Sequence, residues 1–323
     1  MKKFMKWSAV AALILLLIGL AMAFVAGSVE GVLGVNELVE TVTDGRIHLD
    51  LNPAGSWGLT IGQNAPFIGE NSKVLYPIEE NMIFEEEYDV FTGDVEKYAV
   101  GSGVDSMDIR AGGCAFYCKT SEDGSFYVEA EDTGKFQCFI RDNILYVKTI
   151  RAVTESSPYH DCEIVLYIPQ DYSFEKVDVN LGAGLLELSD IAATEINLEV
   201  GAGQILADCI QAQDCDIEVG MGEIILEDIE ANTVDAEVGM GHLEVEGTVL
   251  GDIHAKCSMG AAELKLTGAA EEFNYTVEAA MGNVAIDGVS YSGLTQDKSI
   301  DNRADKNINV ECSMGDIQVE FKD

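Results

Sequence analysis

The chain has 323 residues, 47% of them hydrophobic, enough apolar material for one or two buried cores. Its 57 Asp and Glu against 19 Lys and Arg give a formal net charge of -38. That balance excludes a nucleic-acid binder, which needs many cationic contacts to phosphate, and excludes docking on anionic lipid through the folded surface.

The first element is apolar. Met1–Lys6 carries Lys2, Lys3 and Lys6, and no charged residue occurs from Trp7 to Val29. A helix over residues 7–29 reaches about 34 Å, enough to cross a hydrocarbon core of about 30 Å. The flanking lysines place a six-residue tail (1–6) inside and the remainder outside. A cleaved signal peptide competes with an uncleaved anchor, because Ala21-Met22-Ala23 has the small-x-small form of a cleavage site. Both of these export the domain, and a buried helix of a soluble protein is the third reading. The expected localisation is the cell membrane, single-pass, with the β domain extracytoplasmic.

Residues 30–95 are punctuated by Pro53, Gly55, Gly58, Gly62, Pro66, Gly69 and Pro77, and read as an irregular tether. Residues 96–172 contain short alternating runs such as Ser125–Glu129 and Ile144–Ile150, which predict an N-terminal β region capping the C-terminal repeats. From 173 to 323 the chain is repetitive. Gly184, Gly203, Gly222, Gly241 and Gly260 recur every 19 residues, and Gly282 and Gly315 mark two degenerate copies. Residues 290–307 are a polar excursion between those last two.

Number each copy from 1 at Val177. Positions 1, 3 and 5 are apolar, as in Ile196, Leu198 and Val200, while 2 and 4 are mostly polar, which is strand alternation. Position 7, with Met221, Met240 and Met259, extends the same phase and is expected inward. The next apolar positions are 10 and 12, so the phase breaks at the position-8 glycine, where φ > 0 turns the chain. Two strands and two corners per copy predict an all-β, single-domain parallel β-solenoid with coils of about 19 residues, preceded by one transmembrane helix. The seven glycines are its structural corners. A β-sandwich arising by duplication is the rival, although hairpins need no fixed period.

Candidate chemistry is sparse. Residues 177–252 hold 18 Asp and Glu and no Lys or Arg, with Glu199, Glu218 and Glu237 stacked on one face beside Asp216 and Asp235. Like charges one strand apart repel and raise carboxylate pKa values. No Ca²⁺-loop spacing is present, so weak, non-specific divalent cation binding is the most these carboxylates imply. Glycoside hydrolysis needs two carboxylates singled out in a cleft, and none stands out here. Cys215, Cys257 and Cys312 fall on inward positions and read as buried thiols, whereas Cys209 and Cys215 flank a corner and are a local pair to check. The pairing of Cys114, Cys118, Cys138 and Cys162 is open. His48, His160, His242 and His254 do not form a ligand spacing, and the repeated Gly-x-Gly precedes no helix. No catalytic, cofactor-binding or metal residue is assigned, and no cofactor is expected.

The repeated Val/Ile-x-Val/Ile/Leu-x-x-Gly-x-Gly pattern after an apolar N-terminus resembles a bacterial adhesin family of domains of unknown function. The likeness covers roughly residues 100–320 and is strongest in 177–282. It implies a parallel β-helix of the kind common in Firmicutes envelope proteins, and it brings no catalytic residues. The expected function is a non-enzymatic, extracytoplasmic adhesin-like, scaffold or interaction module of the cell envelope. The alternative is an accessory sensor of envelope stress acting through a membrane partner. Expected partners are an envelope or membrane protein and the bilayer itself, through the N-terminal helix.

Overall fold

The structure is a computed structural model, and it describes residues 47–51, 57–61, 68–69, 84–85, 87–150, 162–292 and 296–322. The chain divides into two units, one comprising residues 1–79 and 152–154, the other 80–151 and 155–323. In the first unit, strands β1 (Ile47–Leu51), β2 (Trp57–Ile61) and β3 (Ile68–Gly69) form a three-stranded antiparallel sheet.

The second unit is a 19-stranded sheet. It opens with β4 (Phe91–Gly101), β5 (Ser106–Ala111), β6 (Cys114–Ser121), β7 (Phe126–Arg141), β8 (Ile144–Ile150) and β9 (Glu163–Pro169). The periodic stretch supplies β10 (Ser173–Leu181), β11 (Gly184–Val200), β12 (Gln204–Val219), β13 (Glu223–Val238), β14 (His242–Val249), β15 (Ile253–Cys257) and β16 (Ala261–Thr267). The last strands are β17 (Phe273–Ala279), β18 (Asn283–Ile286), β19 (Val289–Ser292), β20 (Gln296–Ile300), β21 (Lys306–Cys312) and β22 (Asp316–Lys322).

Alternation explains the pairing. In β12 and β13 every second residue around the corner glycines is buried, and these residues stack in register on their counterparts. Ile196 lies beside Cys215, Cys215 beside Val234, and Val234 beside Ile253. Val200, Val219 and Val238 form a second column. All of these are at most 1% exposed, and burying such a side chain is worth about 1.5–3 kcal/mol. The columns carry the core along the stack, from Phe116 and Phe136 near one end to Phe273 near the other.

The single-domain parallel β-solenoid preceded by a transmembrane helix is overturned. The sheet is mixed. At one end β7 runs antiparallel to β8 and β9, and β4 antiparallel to β7. At the other end β20 runs antiparallel to β17, and β19 antiparallel to β18. The laps are also out of chain order: β15 and β16 pair with β21 and β22, and those with β17 and β18. Likewise β10 and β11 pair with β5 and β6, which pair in turn with β8 and β9. The second unit is an all-β domain built on a mixed sheet, not one continuous coil.

Among the described residues no helix is long and apolar enough to cross a membrane. Residues 1–6 and 7–29 lie outside the described residues, so the single-pass membrane localisation and the bilayer as a partner have no structural support. The excursion at 290–307 is not a bare loop. Where described, it supplies β20 and the end of β19, which cover the last parallel lap.

Candidate functional site

At the seven periodic glycines the backbone passes close to a neighbouring lap. Gly184 has φ +120, but at the other six corners the requirement is space rather than a left-handed backbone. A Cβ on Gly203 would stand 2.8 Å from the Gly184 carbonyl oxygen, and one on Gly282 2.6 Å from that of Gly315. Gly222, Gly241, Gly260 and Gly315 meet the carbonyl of the adjoining lap still more closely. The second corner uses a left-handed residue instead: Asp190, Cys209 and Asp228 have φ of 57, 57 and 55.

Between the corners, position 4 builds a column of outward side chains. Register places Lys148, Arg110, Asn180, Glu199, Glu218, Glu237, Lys256 and Glu311 on successive strands. Position 2 runs beside it through Asp108, Asp178, Asn197, Asp216, Asp235 and His254. An open groove of about 370 Å³ runs along the middle of this face, lined by Glu199, Asp216, Glu218, Asp235, Glu237 and Lys256 among others.

The face is tied down at its β5–β10–β11 end and less so in its middle. Asn180 donates to Glu199, and Asn197 Nδ2 donates to Asp178 Oδ1 at 2.7 Å. Lys176 pairs with Glu195 at 2.7 Å, and Arg110 grips Asp108 through two nitrogens, each 3.0 Å from a carboxylate oxygen. In the middle, partial desolvation, then the charges of Glu199 and Glu237, push the Glu218 carboxyl above its ordinary range. Asp216 is raised in the same way, by desolvation first and then chiefly by Asp235. The carboxylate stack is legible in the 19-residue period. Its neighbours Arg110 and Lys148 are not, because they arrive from a region with no repeat.

The face does not assemble chemistry. Among the described residues no group of three or more His, Cys, Asp and Glu can hold a metal ion, which corrects the expectation of divalent cation binding. An envelope or membrane protein partner likewise finds no support. His242 and His254 lie in different strands, and His254 Nδ1 is 3.3 Å from Asn309 Nδ2. None of the eight cysteines is in a disulfide. Cys209 and Cys215 do not pair, and Cys209 Sγ instead donates to Asp228 at 3.7 Å. Cys257 and Cys312 are cross-strand neighbours in the core. Burial raises the Cys118 and Cys138 thiols far beyond reach of neutral pH and pushes Cys215 up to about 12, so none of these three is a nucleophile.

One sequence expectation about side-chain direction is reversed. Position 7 does not continue the inward phase: Met240, Met259, Met281 and Met314 are all exposed. The corner begins one residue earlier than alternation implies, and each methionine stands outside it.

A family model described as Toastrack DUF4097 matches residues 119–291 and 210–320. Among solved structures, a putative adhesin from Bacteroides fragilis is similar with a TM-score of 0.40 at 14% identity, over 72% of this chain and 97% of that one. A putative cell adhesion protein from Clostridium sporogenes aligns with a TM-score of 0.34 at 13% identity, over 70% and 98%. A putative lipid binding protein from Parabacteroides distasonis aligns with a TM-score of 0.37 at 13% identity, over 72% and 96%. No curated protein matches the chain.

Proposed function

The chain belongs to the Toastrack DUF4097 family, and we propose that it is a non-enzymatic extracellular interaction module of adhesin-like or scaffold type. The observation that carries this reading is the acidic face. Stacked laps hold Glu199, Glu218 and Glu237 at a fixed separation beside Asp216 and Asp235, along an open groove. Such a face offers charge at regular intervals and no enclosed pocket for a reacting small molecule. Its natural complement is a cationic polypeptide surface, because unrelieved carboxylates gain most where Lys or Arg replaces their mutual repulsion.

The test uses the full chain coupled to beads and presented to a cell-surface or extracellular-matrix preparation. Beads carrying the parent chain should adhere. Beads carrying Glu199→Gln, Glu218→Gln and Glu237→Gln together should adhere less, and the loss should be mimicked by raising the salt concentration. Equal adherence of parent and variant, or adherence by neither, rejects the assignment.

A further inference from the structure

Among the described residues large exposed apolar side chains are few, and four of them gather in one place. Met240, Met259, Met281 and Met314 are 40%, 44%, 59% and 38% exposed. Each precedes a corner glycine, and backbone hydrogen bonds fix their order. Met240 N–H donates to Gly220 O, Met259 N–H to Gly239 O, Met314 N–H to Ser258 O and Met281 N–H to Ser313 O. Half-buried Met221 donates to Gly201 O and begins the series. Spatially the row reads Met221, Met240, Met259, Met314, Met281, with rungs about 4.8 Å apart. Chain order hides this, since Met314 lies between Met259 and Met281.

Packing does not require methionine here. Ala183 and Ala202 occupy the same corner position in earlier laps. What five consecutive methionines add is thioether sulfur, accessible to solvent and repeated at strand spacing.

We propose that Met240, Met259 and Met314 form a surface site for a soft monovalent metal ion of the Cu(I) and Ag(I) class. Thioether sulfur selects such ions over Ca²⁺ or Mg²⁺, which take oxygen. A trigonal sulfur set with bonds near the zinc–thiolate value of about 2.3 Å holds its sulfurs roughly 4 Å apart, whereas the rungs of Met240 and Met314 lie about 9.6 Å apart with that of Met259 midway, so the two outer side chains must lean towards the central one. Three unbranched side chains on neighbouring strands close the remaining gap by rotamer adjustment. The backbone beneath them is fixed, because Gly241, Gly260 and Gly315 leave no room for a Cβ against the adjoining lap. Rungs are therefore held at constant separation while the sulfurs remain free to converge. The site is distinct from the acidic face and stands whether or not that face binds a partner.

The competing soft donors are thiols. Half-buried Cys209 is removed by Cys209→Ser, and the seven buried thiols are read separately by mass after alkylation. The full chain, labelled with ¹³C at the methionine methyls, is titrated anaerobically with Ag(I), then with Cu(I) held reduced by ascorbate. The methyl resonances of Met240, Met259 and Met314, assigned by single substitution, should move together and saturate in one step. Met240→Leu, Met259→Leu and Met314→Leu combined conserve volume and should leave the fold unchanged by circular dichroism. That variant should lose the step and bind ~tenfold or more weakly. Three results overturn the proposal: metal uptake with unmoved methyl resonances, unchanged affinity in the leucine variant, or equal methyl shifts with Ca²⁺.

Discussion

Glu218 shows how a repeat stores electrostatic tension. Desolvation and then its neighbours Glu199 and Glu237 raise its pKa, so the folded state holds the proton more tightly than the unfolded one. Stability from this group is greatest below the ordinary carboxylate range and falls as pH rises through it towards the raised value. Glu218→Gln should therefore melt higher than the parent at neutral pH, and the difference should shrink in mild acid, as calorimetry across pH would record. Gly222→Ala tests the corner. Its Cβ would collide with the Gly203 carbonyl, and chemical denaturation should report a loss of ~1–3 kcal/mol. Cys209 tests reactivity. Iodoacetamide should modify it before the seven buried cysteines, and only slowly at neutral pH, because desolvation and then Asp208 raise its thiol pKa. Preferential modification of a buried cysteine, seen by peptide mass, would contradict this. The glycine interval is visible in the sequence because a missing side chain recurs at a constant spacing, but the crowding that excludes a Cβ there is not. The sequence misreads the methionines, because strict alternation ignores where a corner begins.

At the scale of elements, the interval predicts which strands lie side by side only where the interval holds. From β10 to β15 the 19-residue register is legible apart from a one-residue slip on β14, where Ile229 faces Gly247, and Val200, Val219 and Val238 are neighbours as the spacing implies. It fails where the spacing lengthens: nothing in residues 283–307 announces that β21 and β22 will enter between β15–β16 and β17–β18. Nor does the region 96–172 announce that β5, β6, β8 and β9 form laps, since their corners lack the repeated Gly-x-Gly. The antiparallel strands at each end have a physical use. A parallel stack presents unpaired backbone groups at its last lap, and β19 and β20 cover that edge. Replacing residues 289–300 with a short Gly-Ser linker should expose β17 and β18. The variant should associate with increasing concentration in size-exclusion chromatography, and a strictly monomeric variant would argue that the edge needs no cover.

For the whole molecule, a formal charge of -38 makes self-repulsion a general term in stability. Added sodium chloride should raise the melting temperature until the carboxylates are screened, and a flat or falling response would show that local ion pairs such as Lys176–Glu195 dominate. The displaced lap has a temporal meaning as well. Synthesis delivers residues from the N-terminus onward, yet β15–β16 and β17–β18 share no border until Lys306–Lys322 emerges. A nascent chain can zip the earlier laps as they appear, but it must then hold an open seam, with Phe273 and Tyr275 awaiting a neighbour, until β21 and β22 have been made. The final strands act as a latch, and a chain that stops short of them should be left with a gap that invites proteolysis or capture by a chaperone.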